Sequence, residues 1–144
     1  MADFALRPAT ESDSAAIKKL IRRVGINPMD LDWRRFVVAV DRSGKMRGCG
    51  QLKPHERDVI ELASIAVEPE DRGKGIARTI IEHLIAQAPR PLYLMCRSSL
   101  GPFYEKWNFH AIGLDEMPAY FRRLVRLASW FMPKGESLLV MRLL

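Results

Sequence analysis

The feature that most constrains the fold of this chain is a stretch in its middle, where a strand pattern gives way to a glycine-containing turn and then to a helix pattern. The residues DVIELASIAV, 58–67, form an apolar run typical of a buried strand. The turn EPEDRGKG follows at residues 68–75. Apolar residues then recur with helical spacing, and they are Ala77, Ile80, Ile81, Leu84, Ile85 and Ala88. A strand followed by an amphipathic helix predicts a domain in which helices pack on a sheet.

The turn between this strand and helix carries two glycines and several cations. Gly73 and Gly75 have no side chain to keep an anion away from the backbone where the helix begins. The first amides of a helix have no partner inside it, and the helix dipole favours negative charge there. Arg72, Lys74 and Arg78 add positive charge. Taken alone, the turn fits a phosphate site and a solvated helix start equally well, because the glycine spacing of a Walker loop or a dinucleotide fingerprint is absent.

The N-terminal half of the chain predicts a strand, a helix and a hairpin. DFALRPA, at residues 3–9, reads as a first strand. Thr10 and Asp13 then have the spacing of a capping box, and the helix that follows stops at Gly25. Two apolar runs within residues 35–54 are joined by a Ser-Gly turn, which predicts a β-hairpin.

The C-terminal half predicts further strands with helices between them. RPLYLMC is a buried strand, GPFYEKWNF a short helix, HAI a brief strand and ESLLVMRLL the last strand. Pro118 is expected to open a helix at its first position, and that helix is expected to run to about Phe131. The order of elements predicts a mixed α/β or α+β sheet with helices packed on it.

The length, charge and cysteines of the chain limit the classes of protein to which it can belong. A chain of 144 residues suits one domain, 1–144, and a net charge of +6 favours a polyanion such as nucleic acid, an anionic membrane or a phosphate-rich cofactor. No apolar run reaches the ~20 residues of a membrane helix, and no secretory signal is visible, so a cytoplasmic protein is expected. Cys49 and Cys96 form no C-x-x-C pair and no His pairs accompany them, which predicts buried free thiols and no metal site.

Two motifs resemble those of one enzyme superfamily. IAVEPEDRGKGIA resembles the pyrophosphate-binding signature of the GNAT acyl-CoA N-acetyltransferases, with Arg72, Gly75 and Ala77 at its defining positions. GPFYEKWNFHAI resembles the F-Y-x-x-x-G-F segment of the same superfamily, with Asn108 in place of the glycine. Asn tolerates the left-handed conformation that glycine usually supplies, so the turn is expected to be preserved. The resemblance covers almost the whole chain and implies a GNAT-like mixed, mostly antiparallel sheet of about 6–7 strands flanked by helices.

The resemblance also implies acetyl-CoA as the acyl donor and an amine as its acceptor. The main chain of Ile65, Ala66 and Val67 is then expected to pair with the pantetheine arm, which leaves their side chains free for the core. Ser99, beside Ser98, stands where family members often carry a polar side chain, commonly Asn, and the serine leaves that contact open. The loop residues expected to hold the pyrophosphate are Arg72, Gly73, Lys74, Gly75, Ile76, Ala77 and Arg78.

Two residues are expected to carry the chemistry by the same resemblance. Tyr104 matches the family tyrosine that often protonates the departing thiolate, and the alternative is a core aromatic. Glu61, six residues before Val67, stands where several family members carry a general-base glutamate, and the alternative is an exposed carboxylate at a strand end. His55 and Glu56 are alternative bases that act through water. The usual family mechanism is direct attack on the thioester, without a covalent enzyme intermediate.

A helical insert at about residues 114–134 separates the last two strand signals. Arg122, Arg123 and Arg126 form its basic face, which reads as a solvated helix edge or as a lid whose arginines hold an acidic substrate. MPAYFRR is weakly similar to the tail region of amino-acid acetyltransferases of the N-acetylglutamate synthase type, which implies a small amine such as an amino acid.

The sequence is also compatible with other functions. A protein acetyltransferase acting on an N-terminus or a lysine, a non-catalytic acyl-CoA sensor and a nucleic-acid-binding domain are the alternatives. No zinc finger or clear helix-turn-helix appears, and the charge that CoA demands explains the basic composition. Neither nucleic acid nor a membrane is therefore expected as a partner, and a homodimer is expected by analogy alone.

Overall fold

The computed structural model describes residues 3–144, which form two compact units. The first unit runs to Lys53 and resumes over Leu62–Ala88, and the second contains Pro54–Glu61 and Pro89–Leu144. The central strand, Ile60–Val67, therefore contributes its first two residues to the second unit and the rest to the first.

The first unit is a set of antiparallel strands with two helices. Its strands are β1 (Phe4–Pro8), β2 (Phe36–Asp41), β3 (Met46–Pro54) and most of β4 (Ile60–Val67), and its helices are α1 (Ser14–Val24) and α2 (Ile76–Gln87). Of β3, only the last residue, Pro54, belongs to the second unit. β1 pairs antiparallel with β2, and β2 pairs antiparallel with β3, with Val38 opposite Cys49. The apolar stripe of α1, formed by Ile17, Leu20 and Ile21, packs in one core with Phe36 and Val38.

The start and the end of α1 follow the predicted signals. The Thr10 amide donates to the Asp13 carboxylate at 2.7 Å, which completes the capping box, and a 3₁₀ turn, Glu11–Asp13, precedes the helix. Gly25 ends α1 in the left-handed region at a φ of 81°.

Helix α2 approaches the sheet closely because β3 has glycines beneath it. A Cβ on Gly50 would lie 2.7 Å from Ile65 Cδ1 and from Ile80 Cγ2. Such contacts are shorter than packed atoms allow. Gly48 is equally restricted by Ile76, so the start of α2, which carries the candidate phosphate loop, is seated directly on β3.

The second unit is built around a three-strand ladder. Its elements are β5 (Leu92–Arg97), α3 (Gly101–Glu105), β6 (His110–Ala111), α4 (Ala119–Ala128) and β7 (Leu138–Leu143). β5 and β6 both pair antiparallel with β7, while the start of β4 pairs parallel with β5 at Glu61 and Tyr93. Phe121 of α4 is fully buried and packs with Tyr93, Met117 and Val140.

The strand order is β1-β2-β3-β4-β5-β7-β6, so the sheet has seven strands and is mixed and mostly antiparallel, as predicted. Cys49 and Cys96 are free and buried, also as predicted. The single domain over 1–144 stays a prediction. No helix within residues 3–144 is both long and apolar enough to cross a membrane.

The predicted helix of the insert is wrong at both ends. Pro118 is the cap that precedes α4 and does not occupy its first position. The helix ends at Ala128 and does not reach Phe131, because Trp130 and Phe131 bond to the third residue before them and so tighten the last turn. Pro133 disfavours helical backbone in the residue before it.

Candidate active site

The loop between β4 and α2 presents a run of uncommitted backbone amides in the first unit. Gly73 and Gly75 lie in the left-handed region with φ of 83° and 81°, which only glycine adopts cheaply. The amides of Gly73, Lys74 and Gly75 donate to none of the described residues, and the first amides of α2 have no partner within the helix. An anion placed here would meet several N–H groups and the positive end of the helix dipole.

The cations of this loop are not equivalent. Lys74 Nζ donates to Asp71 at 2.9 Å, and Arg78 donates to Glu82 at 3.0 Å. The hydrogen bonds from Lys74 and then from Arg47 hold the pKa of the Asp71 carboxyl below its usual range, so Asp71 remains a fixed anion beside the loop. Arg72 forms no ion pair with any residue of the described chain, 3–144, which leaves it available to an incoming anion.

Strand β4 is irregular at Ser64, just before residues 65–67, whose main chain is expected to pair with the pantetheine arm. Ser64 has a φ of 60°, its carbonyl accepts a hydrogen bond from the Cys49 thiol at 3.6 Å, and its hydroxyl contacts the Gln51 amide at 2.9 Å. The parallel pairs between β4 and β5 are Ile60 with Leu92 and Glu61 with Tyr93. The segment 65–67 follows both features, and within it Ala66 is 2% exposed.

Tyr104 lies on α3 in the second unit with its ring packed and its hydroxyl uncommitted. The ring meets Phe103 edge to face at 5.1 Å and Phe109 at 6.3 Å between centroids. The hydroxyl bonds to none of the described residues. Burial, with a smaller contribution from Cys96, raises the pKa of Tyr104 to about 12, so the phenol keeps its proton at neutral pH. Asn108 adopts the predicted left-handed conformation, with a φ of 68°.

The serines that follow β5 are already hydrogen-bonded within the second unit. Ser99 Oγ donates to Glu136 Oε1 at 2.8 Å, and the Ser98 hydroxyl accepts from the Ser137 amide at 3.1 Å. These bonds tie the segment before α3 to the segment before β7. A cofactor contact through Ser99 would have to share or replace its bond to Glu136.

Glu61 forms a buried pair with His55. The Glu61 side chain is 5% exposed, which argues against an exposed carboxylate at a strand end. Its Oε1 lies 2.8 Å from His55 Nε2, and the His55 ring stacks on Tyr120 at 3.8 Å between centroids with an interplanar angle of 25°. Glu56 is exposed and bonds to neither of them. Sequence reasoning missed Tyr120, because no local pattern links it to a residue that lies 65 positions earlier in the chain.

The basic face of α4 is open to solvent. Arg123 and Arg126 are exposed and Arg122 is half-buried. None of the three forms an ion pair with a residue of the described part of the chain. The exposure of these arginines agrees with both predictions for the helix, a solvated edge and a surface that binds an acidic substrate.

The cysteines offer no nucleophile. Burial raises the pKa of the Cys49 thiol to about 12 and that of Cys96 to about 11, so both stay protonated near neutral pH. No group of three or more His, Cys, Asp or Glu side chains with the arrangement of a metal site occurs within residues 3–144.

Comparison with known proteins identifies the family of the chain. The family model described as "Acetyltransferase (GNAT) domain" matches residues 32–111, more than half of the chain. A curated relative, the L-2,4-diaminobutyric acid acetyltransferase of Wolinella succinogenes, is 26% identical over an alignment of 128 residues. The match covers 76% of this chain and 72% of the relative.

Solved structures agree on the fold. N-acetylglutamate synthase from Neisseria gonorrhoeae, complexed with coenzyme A and N-acetyl-glutamate, has a TM-score of 0.78 at 22% identity. The match covers 100% of this chain and 36% of the synthase, so this chain spans about a third of that protein's length. Rv2747 from Mycobacterium tuberculosis, in complex with CoA and NLQ, has a TM-score of 0.75 at 26% identity and covers 97% and 99% of the two chains.

Proposed function

Because the chain belongs to the GNAT acetyltransferase family, we propose that it transfers an acetyl group from acetyl-CoA directly to the primary amine of a small molecule such as an amino acid. The observation that carries this proposal is the loop at residues 73–75, where uncommitted amides and left-handed glycines meet the start of α2. That arrangement suits a pyrophosphate. We place the activity in the cytoplasm, and a homodimer remains an expectation.

The residues of the loop fit the cofactor assigned to them. The amides of residues 73–78 surround the pyrophosphate in this proposal, and Arg72 supplies the cation that no described residue neutralises. Lys74 holds Asp71 and so shapes the loop in addition to contributing charge. The main chain of residues 65–67 pairs with the pantetheine arm, and Ser99 contributes a weaker contact.

The chemistry is assigned to Tyr104 and Glu61. Tyr104 carries its proton at neutral pH and has a free hydroxyl, which suits a donor to the departing thiolate. Glu61, together with its bonded partner His55, is assigned the removal of a proton from the amine, since only the neutral amine attacks. Direct transfer is supported by the buried and protonated state of both cysteines.

An amino acid as the acceptor has three supports. The Wolinella relative is named for an amino acid, the gonococcal synthase was solved with an acetylated amino acid, and Arg122 and Arg123 are unpaired within the described chain. Planar guanidinium groups bind carboxylates through paired hydrogen bonds. Arg122 and Arg123 are therefore proposed to hold the acceptor's carboxylate.

Replacing Arg122 and Arg123 together by Ala tests the assignment of the acceptor site. We expect the KM for carboxylate-bearing amines to rise about tenfold, which corresponds to the loss of roughly one charged hydrogen bond, with kcat little changed. Steady-state kinetics with paired acidic and neutral amines measure this effect, and Arg42→Ala, in the first unit, is the control. An equal KM for acidic amines in the double variant and the native chain would refute the carboxylate contact.

Acceptor-dependent release of CoA tests the whole proposal. The chain is incubated with acetyl-CoA and a panel of amino acids, polyamines, arylalkylamines and peptides, and free thiol is measured over time. We expect one or a few amino acids to accelerate the release. Acceleration by peptides alone would favour a protein acetyltransferase. Binding of acetyl-CoA without acceleration by any amine would favour a sensor.

A further inference from the structure

The His55 imidazole is enclosed on three sides by groups of the second unit. Its Nε2 lies 2.8 Å from Glu61 Oε1, and its ring stacks on Tyr120 of α4 at 3.8 Å. Phe121 meets it edge-on at 5.8 Å. The ring plane is therefore held by the helical insert and one ring nitrogen by the central strand.

The pairing determines which nitrogen is available for chemistry. When Glu61 is ionised and His55 is neutral, the 2.8 Å bond requires the proton to sit on Nε2 and to be donated to the carboxylate. The lone pair then lies on Nδ1, which bonds to none of the described residues. A carboxylate that orients an imidazole and stabilises its protonated form is a recurring arrangement in proton-transfer sites.

We propose that His55, through Nδ1, takes the proton from the attacking amine, and that Glu61 and Tyr120 are positioning residues. This inference rests on the proposed function. It gives the helical insert a second role, because Tyr120 fixes the ring that the central strand polarises. The His55 side chain is 11% exposed and that of Glu61 is 5% exposed, so the imidazole is the more accessible member of the pair.

The protons balance over one turnover. The acceptor's ammonium group brings three protons, and His55 takes one and later releases it to water. The neutral nitrogen forms the new C–N bond to the acetyl carbon, and the C–S bond breaks. Tyr104 gives its proton to the sulfur and regains one from the new C–N nitrogen. One proton remains on the amide nitrogen, and the thiol leaves protonated.

The first test compares His55→Gln with Glu61→Gln. The glutamine amide introduced by His55→Gln can still donate a hydrogen bond to Glu61 but cannot take a proton, so a structural role for His55 would survive this change. We expect kcat to fall by roughly 10²–10⁴-fold in each variant, the usual range for loss of general-base catalysis, with the KM for acetyl-CoA unchanged. The double variant is expected to be no slower than the slower single variant, because the two residues act as one unit.

The second test is chemical rescue. His55→Ala leaves space beside Tyr120 that free imidazole can fill. Added imidazole should raise the kcat of this variant at least about tenfold, because it replaces the missing general base. Tyr120→Leu should lower kcat, and Tyr120→Phe, which keeps the stacked ring, should recover most of that loss. The rise in Tm on addition of acetyl-CoA shows that each variant is folded.

Three results would overturn the inference. A kcat for His55→Gln within about twofold of the native value, beside a large loss for Glu61→Gln, would make Glu61 the direct base. Failure of imidazole to rescue a folded His55→Ala chain would assign His55 a structural role. Equal kcat values for Tyr120→Leu and the native chain would remove the role of α4. Absence of acetyl transfer by the native chain would instead refute the proposed function itself.

Discussion

Asp13 caps the first helix and forms a paired contact with Arg7. Arg7 lies 2.7 Å from Asp13 Oδ2 and 3.0 Å from Oδ1, and the Thr10 amide adds a third bond. These bonds, the Arg7 bond foremost, lower the pKa of Asp13 from 3.8 to about 2. The capping box was readable from local spacing, whereas the partner Arg7 was not, because it lies on a strand before the helix.

The lowered pKa of Asp13 predicts a pH-dependent contribution to stability. A depressed carboxyl pKa stabilises the folded state above the unfolded value near 3.8, and this stability is lost as pH falls towards about 2. Asp13→Asn should therefore lower the free energy of unfolding by about 1–2 kcal/mol at pH 7, allowing for partial solvent screening. The difference from the native chain should nearly vanish near pH 2. Urea unfolding across this range measures it, with Asp115→Asn as the exposed control. A difference that is independent of pH would contradict the account.

The role of the Tyr104 hydroxyl can be tested without disturbing the packing of its ring. Tyr104→Phe keeps the packed ring and removes only the hydroxyl, so folding and the rise in Tm caused by acetyl-CoA should persist. We expect kcat to fall by roughly 10²-fold, since a proton donor to the leaving group is lost. Because the pKa of Tyr104 is about 12, its loss of a proton should not shape the rate between pH 7 and 9 in the native chain. Native kcat in Tyr104→Phe would remove the assignment.

At the scale of elements, the candidate phosphate loop lies at the start of α2, which packs closely on β3. Gly48 and Gly50 of β3 admit the helix, and Gly73 and Gly75 turn the chain into it. The sequence indicated the loop and the helix stripe because both are local patterns. Lys74 is paired with Asp71, whereas Arg72 forms no ion pair within the described residues. The periodicity of a sequence does not predict such side-chain pairs.

Arg72 should therefore matter more to cofactor binding than its charge alone suggests. We expect Arg72→Ala to raise the KM for acetyl-CoA by about tenfold, with kcat little affected, because a charged hydrogen bond to the pyrophosphate is lost. Arg22→Ala, an exposed substitution on α1, controls for the general loss of positive charge. An equal rise in KM in both variants would mean that the net positive charge of the protein, and not a specific contact of Arg72, attracts the cofactor.

The predicted C-terminal end of the helix in the insert, residues 114–134, was wrong. Helical spacing from Pro118 onwards predicted a helix as far as Phe131, yet α4 ends at Ala128. Leu127, Trp130 and Phe131 are then exposed, although their apolar character alone would place them in a core. The approach of Tyr120 to His55 is a tertiary contact between distant segments, and the sequence held no signal for it.

At the scale of the whole molecule, the order of strands and helices and the family were predictable because two local motifs and the periodicities agree with each other. The sequence named the positions of the candidate site, and their roles stay predictions. The internal contacts of the site were not predictable, since the Glu61–His55 pair, the serine bonds to Glu136 and Ser137, and the uncommitted Tyr104 hydroxyl each arise from packing. The net charge of +6 agrees with an anionic cofactor but identifies none.

The most direct test of the account is transfer of a labelled acetyl group. The native chain is incubated with acetyl-CoA carrying a deuterated acetyl group and with a mixture of amino acids, and the amines are analysed by mass spectrometry. We expect an amino acid to acquire the label on nitrogen, and we expect the rate of transfer to fall sharply in Glu61→Gln and Tyr104→Phe. Binding of acetyl-CoA with no label on any amine in the mixture would contradict the proposed function.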